Sequence, residues 1–238
     1  RMKILFFSMF LSIFQSIFGL NITDQHIIKL NTKNILTLKG SINDKLASQF
    51  IYDLNQKESK KNLYVYIDTN GGSVSAGNRI VDEIQKYNLD CIASNAISMG
   101  FVILQPCKTR YITNYSTLMQ HQISYGIQNE KEKVESYVDF IKQIDHRLTQ
   151  LQTNKIGMNP SKFKERTSNE WWMFGENAIQ ENCADKITDI TCSSTLTNET
   201  YSLDKGSYTY IYSKCPLVFD YIEKKKNKNS QEEYIFFY

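Results

Sequence analysis

Ser94-Asn95-Ala96-Ile97-Ser98-Met99-Gly100 runs straight into Phe101-Val102-Ile103-Leu104. A serine flanked by small residues thus stands between an apolar strand and an apolar helical run. A sharp strand-to-helix turn at that point exposes the hydroxyl and aims nearby backbone N–H groups at a developing oxyanion. Upstream lies Gly71-Gly72, downstream His121, and further on the acid Glu170. Their order, Gly-Gly, Ser, His, acid, supplies the parts of a serine hydrolase.

Around this centre the chain alternates. Asn34 to Lys39 reads as a strand closed by Gly40, and Asn43 to Asn55 as a helix with Leu46, Phe50, Ile51 and Leu54 on one face. Leu63-Tyr64-Val65-Tyr66-Ile67-Asp68 reads as a buried strand, Thr69 to Gly72 as a turn, and Ser75 to Tyr87 as a helix. Cys91 to Ala93 is the next strand, Ser98 to Leu104 the next helix, and Arg110 to Ile112 a short strand. Thr117-Leu118-Met119 then leads into His121. Alternating β and α elements predict an α/β layered domain with parallel, right-handed crossovers.

From Glu130 to Asn154 the period changes. Val134, Tyr137, Ile141, Ile144, Leu148 and Leu151 recur three and four apart, the mark of one amphipathic helix of about seven turns. Its length exceeds what a small domain needs to cover its own sheet, which predicts packing against a partner subunit. Trp171 to Met173 reads as strand-like, Gly175 to Cys183 as a helix, and Ala184 to Ile190 as a final strand. Residues 191–238 read as an appended extension, part disulfide-tied hairpin with the Tyr-rich run 208–212 and part tail with the charge run 223–228.

The chain has 238 residues and a net charge of +3, too small to imply a nucleic-acid partner. Arg1 and Lys3 precede an apolar run that reaches Phe18, with no acidic residue before Asp24. This pattern predicts a signal peptide over residues 1–19, cleaved after Gly19, and secretion; the alternative is a membrane anchor formed by residues 2–18. Sequons at Asn21, Asn114 and Asn198 accord with that route. So do five cysteines, 91, 107, 183, 192 and 215, some of which pair in an oxidising compartment. Cys192 with Cys215, or Cys183 with either, would pin the extension, and the odd count leaves one thiol free. No CxxC spacing occurs, so zinc is not expected.

Each site residue has an ordinary structural explanation when taken alone. A serine in a Ser-Met-Gly context is commonly structural, a histidine at a strand end is commonly a hydrogen-bonded core residue, and a glutamate is commonly solvated. His26 and His146 read as surface residues, and Asp185, a competing acid, fits a strand end. The ordered set carries the inference.

Five segments bear a family resemblance. Asp68-Thr69-Asn70-Gly71-Gly72-Ser73-Val74-Ser75-Ala76-Gly77 resembles the glycine-rich segment of the Clp protease proteolytic subunit, Ser94 to Leu104 its nucleophile segment, and Leu118-Met119-Gln120-His121-Gln122 its histidine segment. Residues 170–185 resemble its acid segment, and the long helix its handle helix, which joins two rings. The resemblance spans about residues 34–190 and implies a crotonase-like fold. It implies Ser98 as nucleophile, His121 as base and Glu170 as acid, with the Gly72 and Met99 N–H groups as oxyanion hole. It further implies a peptide or unfolded-protein substrate, no metal or organic cofactor, a homo-oligomeric ring and an AAA+ unfoldase partner.

This sequence has Glu170 where the family has Asp, Thr69-Asn70 where it has Ser-Pro, and no counterpart of its N-terminal axial loop. A targeting segment would also remove the chain from a cytosolic ATPase. A serine-type endopeptidase acting on short or unfolded peptides is therefore the leading expectation. The alternative is a catalytically impaired scaffold of the same fold. A crotonase-type acyl-CoA enzyme and a membrane-anchored hydrolase with a Ser–Lys dyad fit less well, the first because of the targeting segment and the second because of His121.

Overall fold

A computed structural model describes residues 27–227. The expected targeting segment, His26 and the Asn21 sequon lie outside the described residues. In chain order the elements are β1 (Ile27–Leu30), β2 (Ile35–Lys39), α1 (Asp44–Gln56), β3 (Tyr64–Thr69), α2 (Val74–Tyr87), β4 (Asp90–Ile97), α3 (Met99–Leu104) and β5 (Arg110–Gln120). There follow α4 (Lys131–Ile156), α5 (Pro160–Thr167), β6 (Trp171–Phe174), α6 (Glu176–Gln180), β7 (Lys186–Ile187) and β8 (Asp189–Cys192). The chain continues through α7 (Ser194–Asn198), β9 (Thr200–Lys205), β10 (Tyr208–Ser213) and β11 (Tyr221–Lys226).

The alternating pattern produces the predicted α/β architecture. The central sheet runs β2-β3-β4-β5-β6, with β2 to β5 parallel and β6 antiparallel to β5. Local signals start and stop the helices. The Asn43 side chain accepts from the Leu46 N–H at the head of α1, and the Ser73 hydroxyl accepts from the Ala76 N–H at the head of α2. Asn88 closes α2, and Gly157 closes α4, both in the left-handed region.

One face of the sheet buries Val65, Ile67, Ala93 and Leu118 against Phe50, Leu54, Ile80, Ile84, Phe101 and Leu104 from the helices. The opposite face buries Ile35, Tyr66 and Ile92 against Ile28, Leu30, Leu196 and Cys215. Strand β1 and residues beyond 190 thus together cover a sheet face that would otherwise meet water. Full burial of each large apolar side chain contributes about 1.5–3 kcal/mol. The Cys192–Cys215 disulfide holds this cover in place, and a second disulfide joins Cys91 to Cys107. Cys183 is the free cysteine, buried, and burial pushes its thiol pKa up to about 12.

Four details differ from the sequence expectation. The two short strands expected at 110–112 and 117–119 form one strand, β5, because it serves two partners: Tyr111 and Ile112 pair with β7, and Thr117 to Gln120 pair with β6. The expected final strand 184–190 divides into β7, on β5, and β8, which pairs in parallel with β1, itself not anticipated. The helix expected to Cys183 ends at Gln180. The expected Tyr-rich hairpin is a three-stranded antiparallel sheet, β11-β10-β9.

Candidate active site

Ser98 follows the last residue of β4 and precedes the first of α3. Its backbone adopts φ 55° and ψ −118°, a conformation that non-glycine residues rarely hold. Three contacts enforce it: the Ser98 N–H donates to the Met119 carbonyl at 2.9 Å, and the Ser98 carbonyl accepts from the N–H groups of Phe101 and Val102. This is the sharp elbow expected from the small residues of the sequence.

Gly71 and Gly72 pass directly over the elbow. A Cβ on Gly71, at φ 94°, would fall 2.7 Å from Ser98 Cβ and 2.8 Å from the Ile97 carbonyl oxygen. One on Gly72 would fall 2.3 Å from the Ile42 carbonyl oxygen. Only glycine fits such contacts. The segment is pinned by Ile42, whose N–H donates to the Gly71 carbonyl and whose carbonyl accepts from the Ser73 N–H. Neither the Gly72 N–H nor the Met99 N–H is hydrogen-bonded among the described residues, and both residues border the cleft at Ser98. Two unengaged backbone donors beside a serine hydroxyl are what an oxyanion hole requires.

His121 lies one residue beyond β5, the strand beside β4. Its Nε2 stands 2.7 Å from Ser98 Oγ, within hydrogen-bond reach for a base and its nucleophile. Glu170 is placed by a different route. Gln120 pairs with Trp171 across β5 and β6, so the next antiparallel positions are His121 and Glu170. The Glu170 carboxylate, however, accepts from Trp172 Nε1 at 3.1 Å, and the residue takes φ 58°. No hydrogen bond joins the expected acid, Glu170, to His121 among the described residues.

A cavity of about 460 Å³ opens from Ser98 and His121. Met99, Val102, Leu148 and Phe163 supply apolar walls, while α4 and α5 close its far side with Thr149, Gln152 and Thr167. Lys164 Nζ meets Asp145 at 3.1 Å at its border, joining the two helices. Among the described residues no group of three or more His, Cys, Asp and Glu side chains could hold a metal ion.

A family profile described as Clp protease matches residues 21–191. The chain belongs to the Clp protease family. Among curated relatives, it is 28% identical over 167 residues to the ATP-dependent Clp protease proteolytic subunit 2 of Tropheryma whipplei, covering 67% of this chain and 93% of that protein. It is 27% identical over 167 residues to the ATP-dependent Clp protease proteolytic subunit of Borreliella afzelii, covering 67% of this chain and 85% of that one. Membership of the Clp protease family makes the chain a member of a family of peptide-bond hydrolases, and the cleft lies within the matched region.

Two features of this Clp protease site were not anticipated. Asp185, expected at a strand end, clasps the buried Arg110 guanidinium: Nη2 donates to Oδ1 at 2.6 Å, and Nε and the Arg110 N–H donate to Oδ2. Burial raises the Asp185 pKa, but the Arg110 contacts outweigh it and hold the carboxyl below its ordinary value. Asp185 is thus committed to the start of β5 and is unavailable to His121. The second feature is a buried amide pair, Gln120 and Gln152, in the cavity wall next to the histidine.

Proposed function

We propose that this Clp protease family member is a serine-type endopeptidase acting on short or unfolded peptides. The observation that carries the reading is the 2.7 Å contact between Ser98 Oγ and His121 Nε2 on a strained elbow faced by two unengaged N–H groups. In this mechanism Ser98 Oγ attacks the peptide carbonyl carbon as His121 Nε2 takes its proton. The Gly72 and Met99 N–H groups receive the oxyanion. The tetrahedral intermediate collapses, His121 protonates the leaving amine, and an ester to Ser98 remains. Water, deprotonated by His121, hydrolyses the ester and restores the serine.

A specific observation favours the rival reading, a catalytically impaired scaffold: the Glu170 carboxylate accepts from Trp172 and makes no hydrogen bond to His121 among the described residues. Labelling with a fluorophosphonate discriminates between the two. The full chain, Ser98→Ala and His121→Ala are compared in fractions of defined oligomeric size. Labelling lost in both variants supports the peptidase. A folded chain unlabelled in every fraction supports the scaffold.

The same reading includes a ring-like homo-oligomer, supported by the exposed aromatic stripe of α4, where Tyr137 packs on Phe140 and on Tyr125. It also includes passage through the secretory route, supported by two disulfides and by the exposed sequon residues Asn114 and Asn198. In that compartment an AAA+ partner is not expected, and substrates must reach the cleft already unfolded. N-terminal sequencing of the secreted chain tests cleavage after Gly19 against retention of residues 2–18 as an anchor.

A further inference from the structure

The sheet β9-β10-β11 lies beyond residue 191, outside the region matched by the Clp protease family. Its two faces differ sharply. Residues opposite one another in a sheet share a face. Tyr208 stands opposite Lys205 and Lys226, Tyr210 opposite Leu203 and Lys224, and Tyr212 opposite Tyr201 and Tyr221. This face therefore holds five tyrosines, three lysines and a leucine. Thr209 and Ile211, with Asp204, Ser202, Lys225 and Glu223 as their partners, form the other.

Both carboxylates of the three strands fall on that second face. There Glu223 pairs with Lys225 at 3.2 Å and Asp204 accepts from the Thr209 hydroxyl. On the tyrosine face Lys205, Lys224 and Lys226 take part in no ion pair among the described residues. A row of uncompensated cations on a tyrosine surface is complementary to a dense anionic layer.

The ring geometry narrows the occupant. Tyr201 stacks on Tyr212 with centroids 5.3 Å apart, and Tyr210 meets Tyr221 edge-on at 5.1 Å. Lys224 Nζ sits 4.0 Å from the Tyr208 ring centre and 5.3 Å from that of Tyr210, and Lys205 Nζ 5.6 Å from Tyr210. The rings face one another and the ammonium groups, so they offer a poor platform for nucleobases, which need open ring faces. Amphipathic tyrosines beside lysines match the headgroup layer of a bilayer, where tyrosine is enriched and lysine meets lipid phosphate.

We propose that the tyrosine face of β9-β10-β11 docks this chain on anionic phospholipid bilayers. The inference stands apart from the catalytic reading, since no residue of the cleft takes part. It is tested by sedimenting the full chain with phosphatidylcholine vesicles containing about a third phosphatidylserine and with phosphatidylcholine vesicles alone. The apolar run 2–18 can enter either vesicle, so the readout is the difference between the two. The chain is expected to favour the anionic vesicles. Each lysine near such a surface contributes roughly fivefold, so the triple change Lys205→Ser, Lys224→Ser, Lys226→Ser should lower the preference on the order of a hundredfold. Salt at about 0.5 M should do the same. Should the triple variant not fold by circular dichroism, Lys224→Ser alone should lose about fivefold. Equal binding to both vesicles, or a folded variant with undiminished preference, overturns the proposal. Binding of single-stranded oligonucleotide without vesicle binding overturns it in favour of nucleic acid. Self-association that the triple variant abolishes, again without vesicle binding, overturns it in favour of a second copy of the chain.

Discussion

Gln120 and Gln152 meet in the wall of the cleft beside His121: Gln120 Nε2 donates to Gln152 Oε1 at 2.5 Å. Gln120 Oε1 in turn accepts the His121 N–H, and Gln152 Nε2 donates to the Leu148 carbonyl. Both amides are buried. The chain of bonds ties the long helix α4 to the backbone of the candidate base. Gln152→Leu should leave the Gln120 amide without its partner, at a cost of about 1–3 kcal/mol. If the bond also positions His121, fluorophosphonate labelling of Ser98 should slow roughly tenfold, the effect of about 1.4 kcal/mol on the barrier. Labelling at the unchanged rate in a folded variant would show that the amides serve stability alone.

Glu170 offers a second test. Its hydrogen bond to Trp172 Nε1 competes with any bond to the His121 ring across the strand pair. We predict that Trp172→Phe, which removes the competing donor, leaves Ser98 labelling equal or faster. Glu170→Gln should lower it on the order of a hundredfold or more if the carboxylate orients the imidazole during reaction. Equal labelling in Glu170→Gln and the unaltered chain would remove Glu170 from the mechanism.

Asp185 and Arg110 predict a pH dependence of stability. The Arg110 side chain is 1% exposed and its partner carboxyl is held below its ordinary pKa. A depressed acid contributes stability that is fully present above its unfolded pKa of about 3.9 and is lost as pH falls through the lower folded value. Asp185→Asn strands a buried guanidinium and should cost about 3–5 kcal/mol near neutrality. Its melting temperature should fall by about 10 °C. The difference between variant and parent should shrink below about pH 4. A constant difference across that range would rule out the ion pair as its source.

The Cys192–Cys215 bridge predicts a further loss. It closes 23 residues of separation and secures the cover over Ile35, Tyr66 and Ile92. Cys215→Ser should cost about 2–4 kcal/mol. Limited proteolysis should then cleave first in residues 193–227 while the cleft region persists. Cleavage at the same rate in both proteins would mean that packing alone holds the extension.

Ser98 and His121 were legible because local order carries them. Small residues between an apolar strand and an apolar helix leave the chain one way to turn, and a histidine just past the neighbouring parallel strand arrives beside it. Glu170 precedes β6, whose pairing with β5 ends at Gln120 and Trp171. The direction of its side chain was not legible, because a side-chain rotamer depends on Trp172, a neighbour that no periodicity selects. Gln120 and Gln152 were invisible for a related reason. They are 32 residues apart, and each reads as a polar interruption in an apolar pattern until the fold pairs them. Cys192 with Cys215 was one of the pairings open in the sequence. Cys91 with Cys107 was not singled out, because connectivity among five cysteines follows from the fold rather than from spacing.

That Cys91–Cys107 bridge has a topological effect. It turns β4, the elbow and α3 into a covalent ring, with Ser98 roughly midway round it. A segment tethered at both ends gains little freedom when it detaches from its neighbours, so its excursions are short and return quickly. The uncommon backbone angles at Ser98 are therefore guarded against fraying from either side. In the reduced chain the same residues become an ordinary open stretch, and Ser98 depends on packing alone to keep its aim.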